Sequence, residues 1–292
     1  MRILIYGASG WIGNMMIKIL EEQGHTLILS RSRLDKYNDI INELNQYQNI
    51  THCLLCAGIT RDPKNINSNI DWCEDNKLVT LRANVIGTAV LVDECHKRNI
   101  HITYVATGCI YEYDEEHPIG GKGFTEEDEP NFEKSFYSSS KKIVEKIVKE
   151  FKNCLILRIR MPLSDRLEPR NFITKISKYE KVINVPNSMT ILYDLLPIIP
   201  DMMTNKLNGI WNFCNPGVIS HNEILDLYKE YIDPNFKYQN FTVDQQSKIL
   251  KAGRSNNYLD VSKLLARYPQ IPHIKDSIHY LFKRMKSNLS TS

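Results

Sequence analysis

The chain has 292 residues, enough for one large α/β domain or for a nucleotide-binding domain followed by a smaller one. Hydrophobic residues make up 42% and charged residues 24%, and the net charge of +3 gives no reason to expect a nucleic-acid or membrane partner. No apolar run reaches the roughly 18 residues that a membrane-spanning helix needs.

The seven cysteines are scattered and odd in number, which is typical of a reducing compartment. The chain begins directly in a strand, without the charged region and cleavage site of an export signal, so we expect a cytoplasmic protein. Cys53 and Cys56 form a C-x-x-C pair, but their segment reads as a buried strand. Side chains alternate along a strand, so these two thiols point to opposite faces, and no metal site is predicted.

The first element is an apolar strand, R-I-L-I-Y, that leads directly into a glycine turn and then a helix ending near Gly24. The turn has the spacing G-x-x-G-x-x-G. Glycines let the backbone approach a pyrophosphate, and the helix N-terminus supplies amide donors with a partial positive charge. A turn used only for packing is the alternative, but the strand–turn–helix context favours a dinucleotide site. The expected contacts are Gly7, Ser9, Gly10, Trp11, Ile12 and Gly13.

The second strand, T-L-I-L, ends in Ser30, Arg31, Ser32 and Arg33, with no acidic residue before Asp35. NAD-binding sites usually carry an acid here for the ribose 2′-hydroxyl. Two arginines and two hydroxyls instead suit a 2′-phosphate, so the sequence favours NADPH, with NADH use left open. The alternative is that both arginines are exposed loop cations.

The third strand, I-T-H-C-L-L-C-A-G, would place Ala57 and Gly58 at the adenine side of the cofactor. A helical stretch follows, with Asn84 in the middle of its apolar pattern. A polar side chain there either bridges backbone groups or helps to hold a water molecule of the active site, and the sequence leaves both readings open.

The fourth strand, H-I-T-Y-V-A-T, ends at Thr107, and a helix about thirty residues later opens with Tyr137 and Lys141. Residues four apart project from one face of a helix. A neighbouring ammonium favours the phenolate and lowers the phenol pKa from about 10, which suits acid–base catalysis. Thr107 could hydrogen-bond a substrate carbonyl beside this tyrosine. A Tyr-x-x-x-Lys pair alone is weak, and the alternative is a solvated surface helix.

Strands and helices alternate over the first 160 residues, which predicts an α/β fold with a doubly wound parallel (Rossmann) sheet. All the motifs above fall at carboxyl ends of strands, where nucleotides bind in such sheets. The strand that begins at Cys154 stops at Pro162, and the alternation then breaks down. We therefore expect an NADP-binding domain over 1–162 and a smaller C-terminal α/β substrate lobe over 163–292, partly packing back on the first.

Three features stand out in the C-terminal part. Ser220 and Glu223 match a helix capping box, so His221 is expected at a helix start rather than in catalysis. Arg254, in the loop-like run R-S-N-N, could clamp a diphosphate. A final helix is expected after about Pro272.

The glycine turn, Thr107 and the Tyr137/Lys141 pair together resemble an extended short-chain dehydrogenase/reductase. Longer runs narrow the resemblance to the plant-type nucleotide-rhamnose synthase, epimerase/reductase. They include T-G-C-I-Y-E-Y-D, S-F-Y-S-S-S-K, R-I-R-M-P, E-P-R-N-F-I-T-K-I, V-P-N-S-M-T-I-L and N-P-G-V-I-S-H-N-E-I-L. The abundance of Asn, Ile and Lys is typical of AT-rich genomes, such as those of large DNA viruses.

The resemblance implies a bifunctional enzyme that takes UDP-4-keto-6-deoxy-glucose, epimerises C3 and C5, and reduces the 4-keto group with NADPH to give UDP-L-rhamnose. Thr107, Tyr137 and Lys141 correspond to the reductase triad, and Cys109 and Lys175 to the epimerase acid/base pair. From its residue type alone, Cys109 could equally be a small buried side chain. Asn171 and Asn187 lie in the resembling runs and are expected to bind the UDP-sugar.

Relatives often dimerise through the helices after Asn84 and Tyr137, so a homodimer is expected. The departures are Ser139-Ser140, where the plant proteins tend to have Lys-Thr, and the more basic end of the second strand. Two rival functions remain: a monofunctional dTDP- or UDP-4-keto-rhamnose reductase, and a non-catalytic NADP-binding regulatory subunit.

Overall fold

A computed structural model describes residues 1–290, and its chain divides into two compact units. The first unit comprises Met1–Ile110, Glu133–Arg158 and Leu196–Trp211. The second comprises Tyr111–Phe132, Ile159–Leu195 and the chain from Asn212 onward. Neither unit is one continuous stretch, whereas the expected domains divide at residue 162.

Strands and helices are numbered in chain order. The strands are β1 Arg2–Tyr6, β2 Thr26–Leu29, β3 His52–Leu55, β4 His101–Thr107, β5 Cys154–Ile159, β6 Lys181–Val182, β7 Gly209–Asn212 and β8 Gln239–Asn240. The helices are α1 Trp11–Glu22, α2 Tyr37–Gln46, α3 Trp72–Asp75, α4 Lys77–Leu81, α5 Thr88–Lys97, α6 Phe136–Val148, α7 Phe172–Ile176, α8 Leu192–Leu195, α9 Ile199–Thr204, α10 His221–Tyr231, α11 Val243–Ser247, α12 Ser262–Arg267 and α13 Ile274–Ser290. A π-helical turn, Arg82–Gly87, joins α4 to α5, and a 3-10 turn, Leu196–Ile198, joins α8 to α9.

The central sheet of the first unit has six strands in the order β2-β1-β3-β4-β5-β7. The pairs β1–β2, β1–β3 and β3–β4 are parallel. With its flanking helices this is the expected doubly wound Rossmann architecture. The order also explains the divided units, since the chain must return after residue 195 to add β7 at the sheet edge.

The core of the first unit lies between the sheet and its helices. Strand residues such as Leu4, Ile102 and Ile156 are fully buried, as expected for parallel strands covered on both faces. Leu91 from α5 and Val144 from α6 pack into the same core. Carboxyl ends of neighbouring parallel strands meet at one edge, which is where the sequence placed its motifs.

The second unit has a separate core around α10 and α13, with Ile224, Leu225, Ile278 and Phe282 all buried. A small parallel sheet joins β6 to β8. The capping box at Ser220 and Glu223 is present in both directions and His221 opens α10, as predicted. The final helix expected after Pro272 is α13. None of the helices formed by residues 1–290 combines the length and the apolar character that crossing a membrane requires.

Candidate functional site

The glycine turn after β1 is shaped by its first residue. Gly7 has φ 83°, and a Cβ added there would stand 2.6 Å from the backbone nitrogen of Ala57. Any other side chain would be strained in conformation and would collide with the end of β3. The Gly10 amide donates to the Gly7 carbonyl at 2.9 Å, and Gly10 is the residue that precedes α1.

Gly13 in the first turn of α1 packs directly on the Gly7 carbonyl, where a Cβ would overlap it. The helix N-terminus is thereby held close to the strand end. Ser9 is exposed, and Trp11 and Ile12 are half-buried. The turn thus packs tightly between the end of β1 and the start of α1.

The end of β2 is organised by an acid that the sequence analysis missed. Glu43 on α2 is 8% exposed, and its carboxylate accepts from the Ser30 hydroxyl at 2.6 Å and from the Arg31 amide at 3.1 Å. Arg33 pairs with Asp35 at 2.9 Å, whereas the Arg31 side chain is exposed. Of the two predicted clamps, Arg31 therefore needs no ion pair broken before it can bind an anion.

Asn84 bridges backbone groups in this structure. Its side chain accepts from the Ile59 amide at 2.7 Å and donates to the Ile59 carbonyl at 2.8 Å. This pair of bonds ties the π-helical turn to the loop after β3. Of the two readings of Asn84, the structure shows the bridging one. Within that loop, a Cβ on Gly58 would lie 3.2 Å from Lys141 Nζ, so the predicted wall residue borders the predicted catalytic lysine.

Two side chains cap the N-terminus of helix α6. The hydroxyl of Ser135, its N-cap, accepts from the Ser138 amide at 3.1 Å. Glu74 accepts from the Phe136 amide at 2.6 Å, which satisfies a second donor of the helix terminus. Together these caps fix the turn that carries Tyr137.

Tyr137, Thr107 and Cys109 come together at the end of β4. The Tyr137 side chain is 8% exposed, and Thr107 and Cys109 are its neighbours. Burial raises the pKa of Tyr137 well above its usual range, the nearby Cys109 raises it further, and a hydrogen bond with Thr107 opposes the rise. The Thr107 hydroxyl also accepts from the Cys109 amide at 3.1 Å.

Lys141 lies on the same helix face, as expected, but its ammonium is not directed at the phenol of Tyr137. Nζ donates to the Tyr104 hydroxyl at 2.9 Å and lies 5.9 Å from the centre of the Tyr137 ring. Burial lowers the pKa of Lys141 to about 8, opposed by the neighbouring Cys73. The expectation that Lys141 lowers the pKa of Tyr137 is thus not met, because desolvation dominates.

A buried polar network occupies the second unit, formed by Arg160, Asn187, Ser255 and Asn257. The Arg160 guanidinium donates to the Ser255 carbonyl at 2.6 Å and to the side chain of Asn187. Asn257 donates to the Ser255 hydroxyl at 3.1 Å. Two of the runs that carried the resemblance and the run R-S-N-N therefore meet in one place. Arg254 is half-buried beside the network and donates to the Ala252 carbonyl at 2.6 Å.

The side chains of Asn171 and Asn187 are both fully buried and extensively bonded. Asn171 is the N-cap of α7 and donates to the Ser164 and Arg166 carbonyls, each at 2.8 Å. Asn187 donates to the Val185 carbonyl at 3.1 Å and accepts from the Asn257 amide at 3.0 Å. The observed roles are structural, and direct substrate contact by either amide stays a prediction.

Lys175 is half-buried on α7, one residue before that helix ends. Its helix is anchored by the Asn171 cap. His221 packs against Phe172, with ring centres 5.0 Å apart, and burial lowers the pKa of His221 to about 4. A neutral, packed imidazole at a helix start agrees with the structural role expected for it.

The described residues contain no group of three side chains able to hold a metal ion, and none of their cysteines forms a disulfide. Cys53 is buried within β3, and Cys56 follows that strand.

Two curated relatives come from Arabidopsis thaliana. A trifunctional UDP-glucose 4,6-dehydratase/UDP-4-keto-6-deoxy-D-glucose 3,5-epimerase/UDP-4-keto-L-rhamnose-reductase is 49% identical over 280 residues, which are 95% of this chain and 41% of the relative. The chain thus spans about two fifths of that protein. A bifunctional dTDP-4-dehydrorhamnose 3,5-epimerase/dTDP-4-dehydrorhamnose reductase is 48% identical over 286 residues, covering 97% of this chain and 93% of the relative.

Among solved structures, a UDP-rhamnose synthase from Acanthamoeba polyphaga mimivirus superposes with a TM-score of 0.91 at 41% identity, covering 97% of this chain and 99% of the other. The resemblance to the plant epimerase/reductases is therefore confirmed, and with it the Rossmann fold. The model of the RmlD substrate binding domain matches residues 1–194. By this match and by its relatives, the chain belongs to the RmlD substrate binding domain family.

Proposed function

We propose that this protein is an NADPH-dependent nucleotide-sugar reductase that also epimerises its substrate, converting UDP-4-keto-6-deoxy-glucose to UDP-L-rhamnose. The observation that carries the proposal is the Tyr137 site, where a buried phenol is hydrogen-bonded to Thr107 beside the buried ammonium of Lys141. The activities of the plant and mimivirus relatives support the same chemistry.

The cofactor proposal rests on the glycine turn and the end of β2. The turn places its backbone against the start of α1, which suits a pyrophosphate, through Gly7, Ser9, Gly10, Trp11, Ile12 and Gly13. Arg31 would hold the 2′-phosphate, and Ser30 and Arg33 would join it on leaving Glu43 and Asp35. Ala57 and Gly58 would border the adenine side. NADPH supplies the hydride when bound.

In the reduction, Tyr137 holds the proton that the C4 oxygen needs as it becomes a hydroxyl. A neutral phenol is the donor form, and burial keeps Tyr137 neutral because it raises the pKa. Thr107 orients the carbonyl oxygen next to it. The Lys141 ammonium stabilises the phenolate that forms as the proton leaves, since opposite charges attract strongly in a buried site.

For the epimerisation, we propose Cys109 and Lys175 as the acid/base pair. Protons at C3 and C5 flank the ketone and are acidic, because the carbanion delocalises as an enolate. Tyr137 and Thr107 can donate hydrogen bonds to that enolate oxygen. The position of Cys109, two residues beyond Thr107 and next to Tyr137, supports its role. Asn171, Asn187 and Arg254 are the proposed substrate-binding residues of the second unit.

The decisive experiment incubates the protein in heavy water with UDP-4-keto-6-deoxy-glucose and NADPH, with the sugar product followed by NMR. L-rhamnose deuterated at C3 and C5 is expected. A reduced sugar without exchange would leave a monofunctional reductase and remove Cys109 and Lys175 from catalysis. Cofactor binding without oxidation would indicate a regulatory subunit.

Tyr137→Phe should abolish NADPH oxidation while leaving cofactor binding intact. The matched control is Tyr268→Phe, which removes a hydroxyl from a buried tyrosine of the second unit that accepts from Arg267. Full turnover by Tyr137→Phe would refute the assigned mechanism.

A homodimer is also proposed, through the face of the first unit that carries Ile86, Ile143 and Ile147. These side chains are 44%, 48% and 41% exposed, and the last two are one turn apart on α6. Exposed apolar side chains that adjoin one another mark protein–protein contact sites more often than isolated ones do. Ile143→Glu with Ile147→Glu should give a monomer by light scattering, whereas Ile249→Glu in the second unit should not.

The odd number of scattered cysteines supports the cytoplasm as the proposed location.

A further inference from the structure

The active-site lysine has a hydrogen-bond partner to which the sequence analysis assigned no role. Lys141 Nζ donates to the Tyr104 hydroxyl at 2.9 Å and lies 5.3 Å from the centre of the Tyr104 ring. Tyr104 is on β4, three residues before Thr107, and is 0% exposed. The Lys141 side chain is 6% exposed, so both members of the pair are withdrawn from solvent.

Tyr104 can act only as a neutral acceptor towards this ammonium. Burial raises the pKa of Tyr104 well above its usual range, and the nearby Tyr137, Glu145 and Cys154 raise it further. A hydrogen bond made to the charged form of a group favours that form. The Tyr104 oxygen therefore works against the desolvation that lowers the pKa of Lys141.

The other titratable groups around the pair do not replace this acceptor. Cys73 on α3 raises the pKa of Lys141, but burial raises the pKa of Cys73 itself and keeps it a neutral thiol. Glu145, which faces Tyr104 from α6, is bonded to the buried Arg158 at 2.7 Å and 3.0 Å. Tyr137 is neutral for the reason already given.

We propose that Tyr104 is a positioning residue of the proton-transfer site, which holds the Lys141 ammonium beside Tyr137 and keeps it charged towards alkaline pH. This inference rests on the proposed reductase function. Lys141 must carry its charge to stabilise a phenolate on Tyr137, so the reduction should fail at the pH where Lys141 loses its proton. Tyr104 then sets the alkaline limit of the enzyme without touching the substrate.

The test compares the pH profile of kcat/KM for NADPH-dependent reduction in wild type, Tyr104→Phe and the control Tyr268→Phe. Phenylalanine keeps the ring and removes only the acceptor. Loss of one charge-assisted bond, on the order of a tenfold change in proton affinity, should move the alkaline limb down by about one pH unit. Activity near pH 6.5, where Lys141 stays protonated in both proteins, should fall less than activity on the alkaline side of the profile. A profile that is scaled down but not displaced would mean that Tyr104 only packs, and would overturn the proposal.

A second measurement does not depend on turnover. The ¹³Cε resonance of Lys141 reports directly whether its amine is protonated. It is measured in the cofactor-free protein and assigned by its loss in Lys141→Arg. The pH midpoint of the titration of this resonance should be lower by about one unit in Tyr104→Phe than in wild type, and unchanged in Tyr268→Phe. Equal midpoints would refute the role of Tyr104 even in an active enzyme. If the midpoint is lower in Tyr104→Phe but the wild type oxidises no NADPH, the Lys141–Tyr104 pair is supported and the proposed reductase function is refuted.

Discussion

Helix α6 carries Tyr137 and Lys141, and a buried ion pair joins its next turn to β5. Glu145 accepts from Arg158 Nη2 at 2.7 Å and from Nε at 3.0 Å, with the two side chains 6% and 1% exposed. The guanidinium and carboxylate meet in the two-bond geometry that favours an arginine pair. Removing Arg158 should therefore disturb both stability and catalysis.

Arg158→Met should lower the free energy of unfolding by about 3–5 kcal/mol, because the Glu145 carboxylate would be left buried without its partner. For a chain of this size that corresponds to a drop in Tm of roughly 5–8 °C. Adding Glu145→Leu to Arg158→Met should restore most of the loss, since a buried ion pair and a well-packed apolar pair are often similar in stability.

The assay is urea unfolding monitored by circular dichroism, together with hydrogen exchange of the α6 amides. The control is Glu133→Gln, which breaks the pair between Lys142 on the same helix and Glu133 just before that helix. That pair has a distance of 2.6 Å, but the Glu133 side chain is 70% exposed, so solvent screens the pair and its loss should leave the urea midpoint almost unchanged.

If Arg158→Met lowers the free energy of unfolding by less than about 1 kcal/mol, the prediction is refuted. Such a small cost would mean that water reaches the Glu145 carboxylate. A double variant no more stable than Arg158→Met would show that packing, not the stranded carboxylate, accounts for the cost.

Three further outcomes are expected. Burial lowers the pKa of His52 to about 4, so its neutral form contributes stability above about pH 6.5 that is lost as the pH falls towards 4. In His52→Gln, the urea midpoint should therefore fall less steeply with pH over that range than in wild type. An unchanged slope would contradict this. Gly13→Ala should weaken NADPH binding at least tenfold by calorimetry, since its Cβ would overlap the Gly7 carbonyl. Gly24→Ala is strained by a φ of 73°, but it follows the far end of α1 and has open space around it, so it should bind the cofactor normally. Glu74→Gln should cost about 1 kcal/mol and speed exchange at the Phe136 amide, because a charged cap is lost; equal exchange rates would exclude that cap.

Much of the first unit could be predicted from sequence because its signals are local. An apolar strand, a glycine turn and a helix follow one another within about twenty residues. The spacing of Tyr137 and Lys141 places them on one helix face whatever the rest of the chain does. Thr107 was correctly placed at a strand end by the pattern of β4.

The partners of these residues could not be predicted in the same way. Glu43 reaches Ser30 from 13 residues away, Tyr104 reaches Lys141 from 37, and Glu74 reaches Phe136 from 62. No periodicity links such positions. The only sequence features that relate to these contacts are a glutamate on the inner side of α2 and a tyrosine in a strand that is buried on both faces, and neither feature identifies the partner.

The sequence by itself determined the type and order of the elements of the Rossmann sheet, because burial patterns and backbone preferences act over a few residues. Only the tertiary structure decided that the chain returns to the sheet with β7, and that Lys141 meets Tyr104 rather than the Tyr137 hydroxyl. Those outcomes depend on which strands become neighbours and how much water they exclude. Desolvation of a side chain is a property of the assembled core, so the pKa values that govern this site arise only on folding.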